Sequence, residues 1–487
     1  MAIIFPMENV FNEKIRNILS LFGNCFDIEQ RSFILKDTRY TVMFVDENTD
    51  KELLAKNIIA PLTQKEWKRA PNADEIVNFV ACPVKIESAF SEEEIAGSIA
   101  EGNVVLLAEG FGEALVMNLR KVAMRPVSEP PTSPVLKGPR EGFCEDLITN
   151  LSLLRRRLKT PKLRFEKLSV GRYTNTDLAI VWIKGITDER LVAKIRERIE
   201  KIDIDGVLDS SYLVRYLEEK RNSLFRQIGT TEKPNILAAK MLEGRIGVIV
   251  DGSPIALTMP FLIFETIQDS NDYHKRDWRI SMIRCVRVIA VFLAVILPAY
   301  YVALQEFQYQ LLPLKFLITL KNATQGLPLT PTLETLLVLI LFEVLNEAGI
   351  RMPRYVGMAL SVVGAIVLGD TAVKAGILSS AAVLIIAVSG IGLYCVPDDA
   401  GVFSVLRILG VSVAGVSGVF GLTLFVLVIL VYVCGMNEYA TPYLAPFSPI
   451  IMKDLKDGIL KEGVDEMKTR PFSIPNINET RQGDTEE

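Results

Sequence analysis

Two carboxyl groups and an amide lie in a strongly apolar part of the chain, where ionisable side chains are costly. Glu343, Asn346 and Glu347 are spaced i, i+3 and i+4, so on a helix they share one face. An ionised carboxyl at the bilayer centre costs about 2.5–3.5 kcal/mol on insertion scales, so such residues face protein or a water-filled path rather than lipid. In an assembly of several chains around an axis they would form rings that attract cations. The spacing therefore predicts an ion path along this face.

A structural role is the alternative for both carboxyls. Glu347 lies close to Arg351 and Arg354, so it would occupy a helix end in the membrane interface and pair with one of them. Glu343 lies deeper in the apolar stretch, which favours the path, but an interfacial position is open to it as well. The residues alone leave both interpretations standing.

Small residues form a stripe in the apolar segment that follows Glu347. Four of them repeat at i+4 spacing: Gly357, Ser361, Ala365 and Gly369. Small side chains on one face let helix backbones approach closely in lipid, so the stripe predicts helix packing, with ordinary membrane-helix composition as the alternative. A weaker stripe consists of Gly410, Ala414 and Gly418. Asp370 and Lys374 are also four residues apart, and we expect an ion pair there, with a place for Asp370 on the ion path as the alternative.

The composition changes abruptly near Cys285, and this step predicts an integral membrane protein with a large soluble head. A polar region gives way to an apolar one that continues to Gly435. Crossing the hydrocarbon takes about 20 apolar helical residues. The predicted spans are Val286–Leu304, Leu333–Leu345, Val356–Ala372, Ile377–Val396 and Val402–Val433, the last long enough for one tilted span or a tight pair. Leu311–Leu320 is short and interrupted, so it predicts an interfacial or re-entrant segment. Residues 280–440 therefore predict an α-helical polytopic membrane domain with five or six hydrophobic spans.

The polar region predicts a head of two α/β lobes. Prolines concentrate in residues 126–142, which predicts an extended linker between a first lobe at 1–125 and a second at 143–279. Residues 441–487 predict a polar C-terminal tail that is disordered at its acidic end. The predicted strands are Tyr40–Val45, Val104–Ala108, Asp177–Ile183 and Ile246–Val250, and the predicted helices are Ser91–Ala100, Cys144–Leu158 and Asp188–Ile202.

Two clusters of basic residues bear on orientation and membrane contact. The first flanks the first span and consists of Lys275, Arg276, Arg279, Arg284 and Arg287. Positive charge beside a span marks the cytoplasmic side, so the head is predicted to be cytoplasmic. The second, Leu153–Lys159, could touch anionic lipid, but a structural role is favoured, in which it ends a helix and pairs with acids of the neighbouring lobe.

Several function classes lack support in the sequence. A formal net charge of -4 gives no argument for nucleic-acid binding. The six cysteines show no Cys-x-x-Cys spacing, and the single histidine cannot complete a zinc site with them. No glycine-rich phosphate loop of the nucleotide-binding kind occurs. We therefore predict no metal, no cofactor and no enzyme active site.

Seven segments closely resemble the A subunit of GerA-type spore germinant receptors. In the head they are KGPREGF (Lys137–Phe143), Asn150–Pro161, IDIDGVLDS (Ile202–Ser210) and LEGRIGVIVDGSP (Leu242–Pro254); beyond it they are FEVLNEAGIRMP (Phe342–Pro353), PYLAPF (Pro442–Phe447) and DLKD (Asp454–Asp457). The resemblance extends from about Gly138 to Gly458, and the first lobe contributes little to it.

The resemblance implies a subunit of a nutrient-sensing complex in the inner membrane of a bacterial spore. Such an A subunit works with a transporter-like B subunit and a lipoprotein C subunit, and its copies are thought to form an oligomeric, ligand-gated channel that releases cations at germination. Three positions depart from the pattern: Glu218–Arg226 replaces a Pro-rich segment, Asp370 replaces a usual Gln, and Arg245 stands where a stage V relative typically has His. Arg245 therefore favours a receptor A subunit.

The hypothesis is a channel-forming A subunit with Glu343 and Glu347 near the path. A secondary transporter, which also uses carboxylates at mid-membrane, and a structural scaffold for the partner subunits are the alternatives. No inverted repeat is evident between the groups of spans, which counts against transport.

Overall fold

The structure, a computed structural model, describes most of the chain. The described residues are 4–23, 25–46, 48–79, 86–120, 139–274, 276–352, 364, 367–463 and 466–482. Most of the predicted linker, three members of the small-residue stripe (Gly357, Ser361 and Ala365) and the acidic end of the tail lie outside these ranges.

An antiparallel sheet with helices on both faces forms the first lobe. Its elements are α1 (Ile4–Phe22), β1 (Ile28–Leu35), β2 (Thr38–Val45), α2 (Lys51–Leu54), which continues through a π-helical turn (Ala55–Ile59) into α3 (Ala60–Gln64), then α4 (Ala73–Phe79), β3 (Ile86–Ala89), α5 (Glu92–Ala100), β4 (Val104–Ala108) and β5 (Ala114–Met117). The strand order is β1-β2-β4-β5-β3. Ser91 begins α5 as predicted, because its hydroxyl accepts the Glu94 N–H while the Glu94 carboxylate accepts the Ser91 N–H.

The second lobe repeats the strand order of the first. It contains α6 (Leu147–Arg157), β6 (Leu163–Val170), β7 (Thr176–Ile183), α7 (Glu189–Glu200), α8 (Ser211–Leu217), β8 (Gly229–Thr231), α9 (Pro234–Leu242), β9 (Ile246–Val250) and β10 (Ala256–Met259). Its order, β6-β7-β9-β10-β8, matches that of the first sheet strand for strand, and every pairing in both sheets is antiparallel. The head is therefore a structural repeat. The two-lobed α/β character was predicted, and the repeat was not.

Alternating apolar residues explain why both faces of each sheet are covered. In β4, Val104 and Leu106 join one buried cluster with α2, α3 and α4, whereas Val105 and Leu107 join another with α1 and α5. Side chains of successive strand residues point to opposite faces, so a wholly apolar strand must be covered on both sides. The second sheet is covered in the same way, by α7 and α8 on one face and by α6 and α9 on the other.

Helices follow the head, and fewer of them qualify as membrane spans than predicted. They are α10 (Asp277–Glu306), α11 (Leu314–Thr324), α12 (Pro331–Arg351), α13 (Ala372–Lys374), α14 (Ser380–Leu393) and α15 (Ala400–Cys434). A π-helical turn (Val367–Thr371) precedes α13.

Within the described ranges, two helices, Asp277–Glu306 and Pro397–Cys434, are long and apolar enough to cross a membrane. Among the described residues the prediction of five or six spans was wrong by this criterion, because α14 is short and α12 carries three glutamates. The predicted span Val356–Ala372 lies mostly outside the described residues.

Helix α15 folds back on itself at Gly418. The backbone there has φ 62° and ψ −149°, which is not helical, and Gly410 packs against Phe425. Residues 15 positions apart on a straight helix would be separated by about 22 Å, so the contact requires two antiparallel arms. Gln308, beyond the end of α10, supports the turn by accepting the Val419 N–H at 3.1 Å. Of the two possibilities for Val402–Val433, the structure shows the tight pair. Within the weaker small-residue stripe, Gly410 packs against Phe425 of the second arm, whereas Gly418 forms the turn and packs against Phe307 and Gln308.

The C-terminal segment folds against the second lobe. A short hairpin, β11 (Asn437–Glu438) with β12 (Thr441–Pro442), follows α15. Farther along, Ile477 donates its N–H to the Ile186 carbonyl at 2.8 Å, and Arg470 donates to the Leu242 carbonyl at 2.7 Å. These parts of the polar tail therefore pack against the head.

Candidate functional site

Glu343 lies in an ion pair between two helices rather than alone on a face. Its Oε1 is 2.6 Å from Nη2 of Arg407, on the first arm of α15, and the Ser404 hydroxyl donates to the same oxygen. The Arg407 side chain is fully buried, whereas 30% of the Glu343 side chain is exposed. One side of the Glu343 carboxylate therefore contacts the buried Arg407 guanidinium, and the other side is exposed at the surface of the chain.

Arg407 links four helices through this contact. Its Nη1 donates to the Ser389 hydroxyl of α14 at 3.0 Å, and that hydroxyl donates to the Ala294 carbonyl of α10 at 2.6 Å. The sequence analysis missed Arg407, although it is the sole charged residue in Val402–Val433. An isolated charge in an apolar run needs a partner, and that need was the available signal.

A small cavity adjoins the open side of Glu343. Its volume is about 50 Å³, and Asn346, Ser404 and Tyr394 line it together with the carboxylate. About 10–15 Å³ of such volume holds one water, so the cavity accommodates a few waters. Glu343 and Asn346, which were predicted to share one helical face, both line this cavity.

The other two residues predicted for the path lie in surface ion pairs. Glu347 contacts Arg351 at 2.6 Å, and Asp370 contacts Lys374 at 2.8 Å, with all four side chains more than half exposed. The Glu347 pair is the structural alternative given for that residue, and the Asp370 pair is the one that the sequence predicted. Gly369 has open space where a Cβ would be, so within this chain it packs against no described neighbour.

A second carboxyl on α12 is more deeply buried than Glu343. Glu334 is 1% exposed and accepts the Ser379 N–H at the start of α14. Its position in the first turn of α12 suits a carboxylate, because unpaired N–H groups give that end of a helix a positive potential. Glu334 therefore fixes the start of α14 against the start of α12.

Buried ion pairs lie where the head joins the helices. Arg284 of α10 is fully buried and contacts Asp272 at 3.2 Å and Asp457 at 2.9 Å. Arg287 also contacts Asp272, at 2.8 Å. Both arginines had been counted toward the orientation of the first span, and the structure shows that each also pairs with a carboxylate of the chain.

Arg245 occupies the head side of the same junction. It donates to Glu265, which also contacts Lys240 at 2.7 Å. Burial opposes ionisation of Glu265, but the charges of Arg245 and Lys240 outweigh it and lower the Glu265 pKa to about 2. Nearby, Arg226 and Thr266 of the head hold Asp399, just before α15, at 3.1 Å and 2.7 Å.

The segment Glu218–Arg226, which departs from the family pattern, contacts the end of α15. Lys220 donates to the Gly435 carbonyl at 3.1 Å, and Tyr432 donates to the Ser223 hydroxyl at 3.2 Å. Since Asp399 is also held by the head, both ends of the hairpin formed by α15 are attached to the second lobe.

Glu438 gives this attachment a pH dependence. Its carboxyl is fully buried, and burial together with the charge of Glu219 raises its pKa to about 8. An unfolded glutamate titrates near about 4.3, so the folded state retains a proton that the unfolded state loses. Stability from this group is complete below about pH 4 and is lost as the pH rises to about 8.

We therefore expect the thermal midpoint of the full chain in detergent to fall between pH 5 and pH 8 by more than that of the Glu438→Gln variant. The free-energy difference should reach a few kcal/mol, since each pKa unit corresponds to about 1.4 kcal/mol. Glu200→Gln, at an exposed carboxyl, serves as the control and should follow the parent profile. Parallel profiles for the parent and Glu438→Gln would show that Glu438 does not titrate in this range.

Comparison with known proteins identifies the chain's relatives. The model of the Bacillus/Clostridium GerA spore germination protein family matches residues 16–473. Spore germination protein KA of Bacillus subtilis is 34% identical over 91% of this chain and 82% of its own length, and spore germination protein GerLA of Bacillus cereus is 29% identical over 99% of both chains. The crystal structure of the N-terminal domain of the A subunit of the Bacillus megaterium germinant receptor GerK3 is 28% identical, with a TM-score of 0.41, and covers 51% of this chain and 93% of that one. The chain therefore belongs to the GerA family of spore germination proteins.

Proposed function

We propose that the protein is the A subunit of a nutrient germinant receptor in the spore inner membrane, and that several copies form its ligand-gated cation channel. The observation that carries the channel proposal is the partly exposed Glu343 carboxylate, held among apolar helices beside a small cavity. Carboxylate rings are a common source of cation selectivity in channels. Asn346 and Ser404 add neutral oxygen atoms at the same point.

The arrangement of the head supports a receptor role. The head is attached to α10 and to both ends of the α15 hairpin, so a change in the head has direct mechanical connections to the helices. The proposal places the head on the cytoplasmic side. The proposed partners are a transporter-like B subunit, which would hold the germinant, and a lipoprotein C subunit.

Removing the charge of Glu343 tests the channel proposal. Full-length protein is reconstituted in liposomes with its B and C subunits, and germinant-stimulated rubidium efflux is measured. We expect Glu343→Gln to lower this efflux about tenfold, because an uncharged amide attracts cations far less than a carboxylate does. Glu347→Gln, at a surface ion pair, is the matched control and should retain most of the flux.

Two results would contradict the channel proposal. Unchanged efflux in Glu343→Gln would remove this residue from the path, and with it the observation that carries the proposal. Crosslinking that yields monomers, combined with solute-coupled uptake instead of efflux, would favour a transporter.

A further inference from the structure

Arg407 occupies the position at which a cation would otherwise meet Glu343. Its guanidinium is 2.6 Å from the carboxylate and fully enclosed by α10, α12, α14 and α15. At this distance the two charges neutralise each other, so the pair presents little net charge to the cavity. A permeating cation would also approach the guanidinium and be repelled. In the arrangement that the structure shows, Glu343 is therefore unavailable to cations.

The size of the adjoining cavity agrees with a closed arrangement. The cavity, at about 50 Å³, accommodates only a few waters. Passage of a cation next to Glu343 therefore needs a different arrangement of the helices around it.

The pair also has a feature that weakens the closed arrangement. Nε of Arg407 is buried and has no hydrogen-bond acceptor among the described residues. A buried donor without a partner costs about 1–3 kcal/mol, so this arrangement is less stable than a fully satisfied one. Such a balance suits an element that has to change between two states.

Close backbone packing identifies the helices that would move together. A Cβ on Gly392 of α14 would lie 2.5 Å from the Ala290 carbonyl of α10, and a Cβ on Gly390 would lie 2.6 Å from the Phe342 ring of α12. Ser389, which accepts from Arg407, lies on the same stretch of α14. A shift of α12 relative to the first arm of α15 would thus separate Glu343 from Arg407 and widen the cavity.

We propose that Arg407 is the latch of the channel: it holds Glu343 in the closed state, and separation of Glu343 from Arg407 is the opening step. This inference rests on the proposed function and assigns its gating to one residue pair. Arg407 acts through Glu343 and does not itself contact the permeating ion.

The test measures separation of the helices around Glu343 by thiol labelling, and it measures ion conduction independently by rubidium efflux. Asn346→Cys places a thiol in the cavity beside Glu343, in full-length protein from which the six native cysteines have been removed. Its rate of reaction with a water-soluble, uncharged methanethiosulfonate, whose local concentration does not depend on the charge of Arg407, is measured without germinant, with and without Arg407→Met. We expect Arg407→Met to raise this rate about tenfold or more, since loss of the latch shifts the population toward the open state. Resting rubidium efflux should rise in the Arg407→Met protein with native Asn346.

Further variants guard against misfolding. Arg407→Lys keeps the positive charge without the second hydrogen-bonding arm, and we expect an intermediate labelling rate. Glu343→Gln combined with Arg407→Met removes both charges, which proteins often tolerate better than one unpaired charge. An accessible thiol in this folded double variant supports the latch.

The outcomes separate the two proposals. An equal labelling rate of the introduced thiol with native Arg407 and with the Arg407→Met substitution overturns the latch, whatever the efflux. Faster labelling without any efflux supports the latch as a conformational contact and contradicts the channel.

Discussion

Replacing Arg155 with alanine is expected to separate the two lobes of the head and to destabilise their association by about 3–5 kcal/mol. Arg155 is fully buried and donates from Nε and Nη2 to the two oxygens of Asp27 in the first lobe, at 2.7 Å and 3.0 Å. Its guanidinium also lies 4.6 Å from the Phe165 ring centroid. Truncation leaves the Asp27 carboxylate, which is 5% exposed, without its partner.

The reactivity of Cys25 provides the measurement. This thiol is 9% exposed and accepts the Phe165 N–H at 3.3 Å across the contact between the lobes. We expect Arg155→Ala to raise its labelling rate by two orders of magnitude or more, because about 1.4 kcal/mol corresponds to a factor of ten when labelling requires opening. Arg156→Ala is the matched control, because Arg156 pairs with Glu141 at a more exposed site. Labelling of Arg155→Ala at the parent rate would show that the lobes associate without this pair.

A double variant separates lost stability from lost charge balance. Arg155→Met with Asp27→Leu replaces the pair by apolar side chains, and buried ion pairs replaced in this way often lose little stability or gain some. We expect Cys25 in the double variant to react more slowly than in Arg155→Ala.

Local patterns in the sequence predicted the elements of the head well. Val104–Ala108 is a strand with the predicted ends, and Asp188–Ile202 contains α7 (Glu189–Glu200). Both signals are short-range, since an apolar run and an amphipathic period are visible within a few residues. The structural interpretation of the basic run Leu153–Lys159 was also confirmed, because Arg155 pairs with an acid of the other lobe.

Long-range pairing was not predictable in the same way. Arg407 and Glu343 are 64 positions apart, and no local pattern indicates that they meet. The antiparallel repeat of the two sheets depends likewise on which strands pair, whereas the sequence shows only where strands occur. For α12, the glutamates that suggested a path also reduce its apolarity as a span.

Loss of Asp272 is expected to have the second large effect, at the junction between the head and α10. Asp272 is fully buried and accepts from both Arg284 and Arg287. Asp272→Ala leaves the buried Arg284 with Asp457 as its remaining carboxylate partner in the described structure. We expect a loss of about 3–5 kcal/mol, measured as a fall in the thermal midpoint of the full chain. Asp203→Asn, at an exposed pair with Arg172, is the control and should leave the thermal midpoint almost unchanged.

The same variant establishes the order of events between head and channel. If the head acts on the helices through this junction, Asp272→Ala should abolish germinant-stimulated efflux and leave the resting efflux of Arg407→Met unchanged when the two are combined. The reason is that a signal from the head reaches the junction at Asp272 before it reaches the Glu343–Arg407 pair. Removing Arg407 therefore opens the channel even when the junction no longer transmits the signal. Stimulated efflux at the parent level in a folded Asp272→Ala protein would show that the signal reaches the helices elsewhere, for which the attachment of Asp399 to Arg226 is the next contact to break.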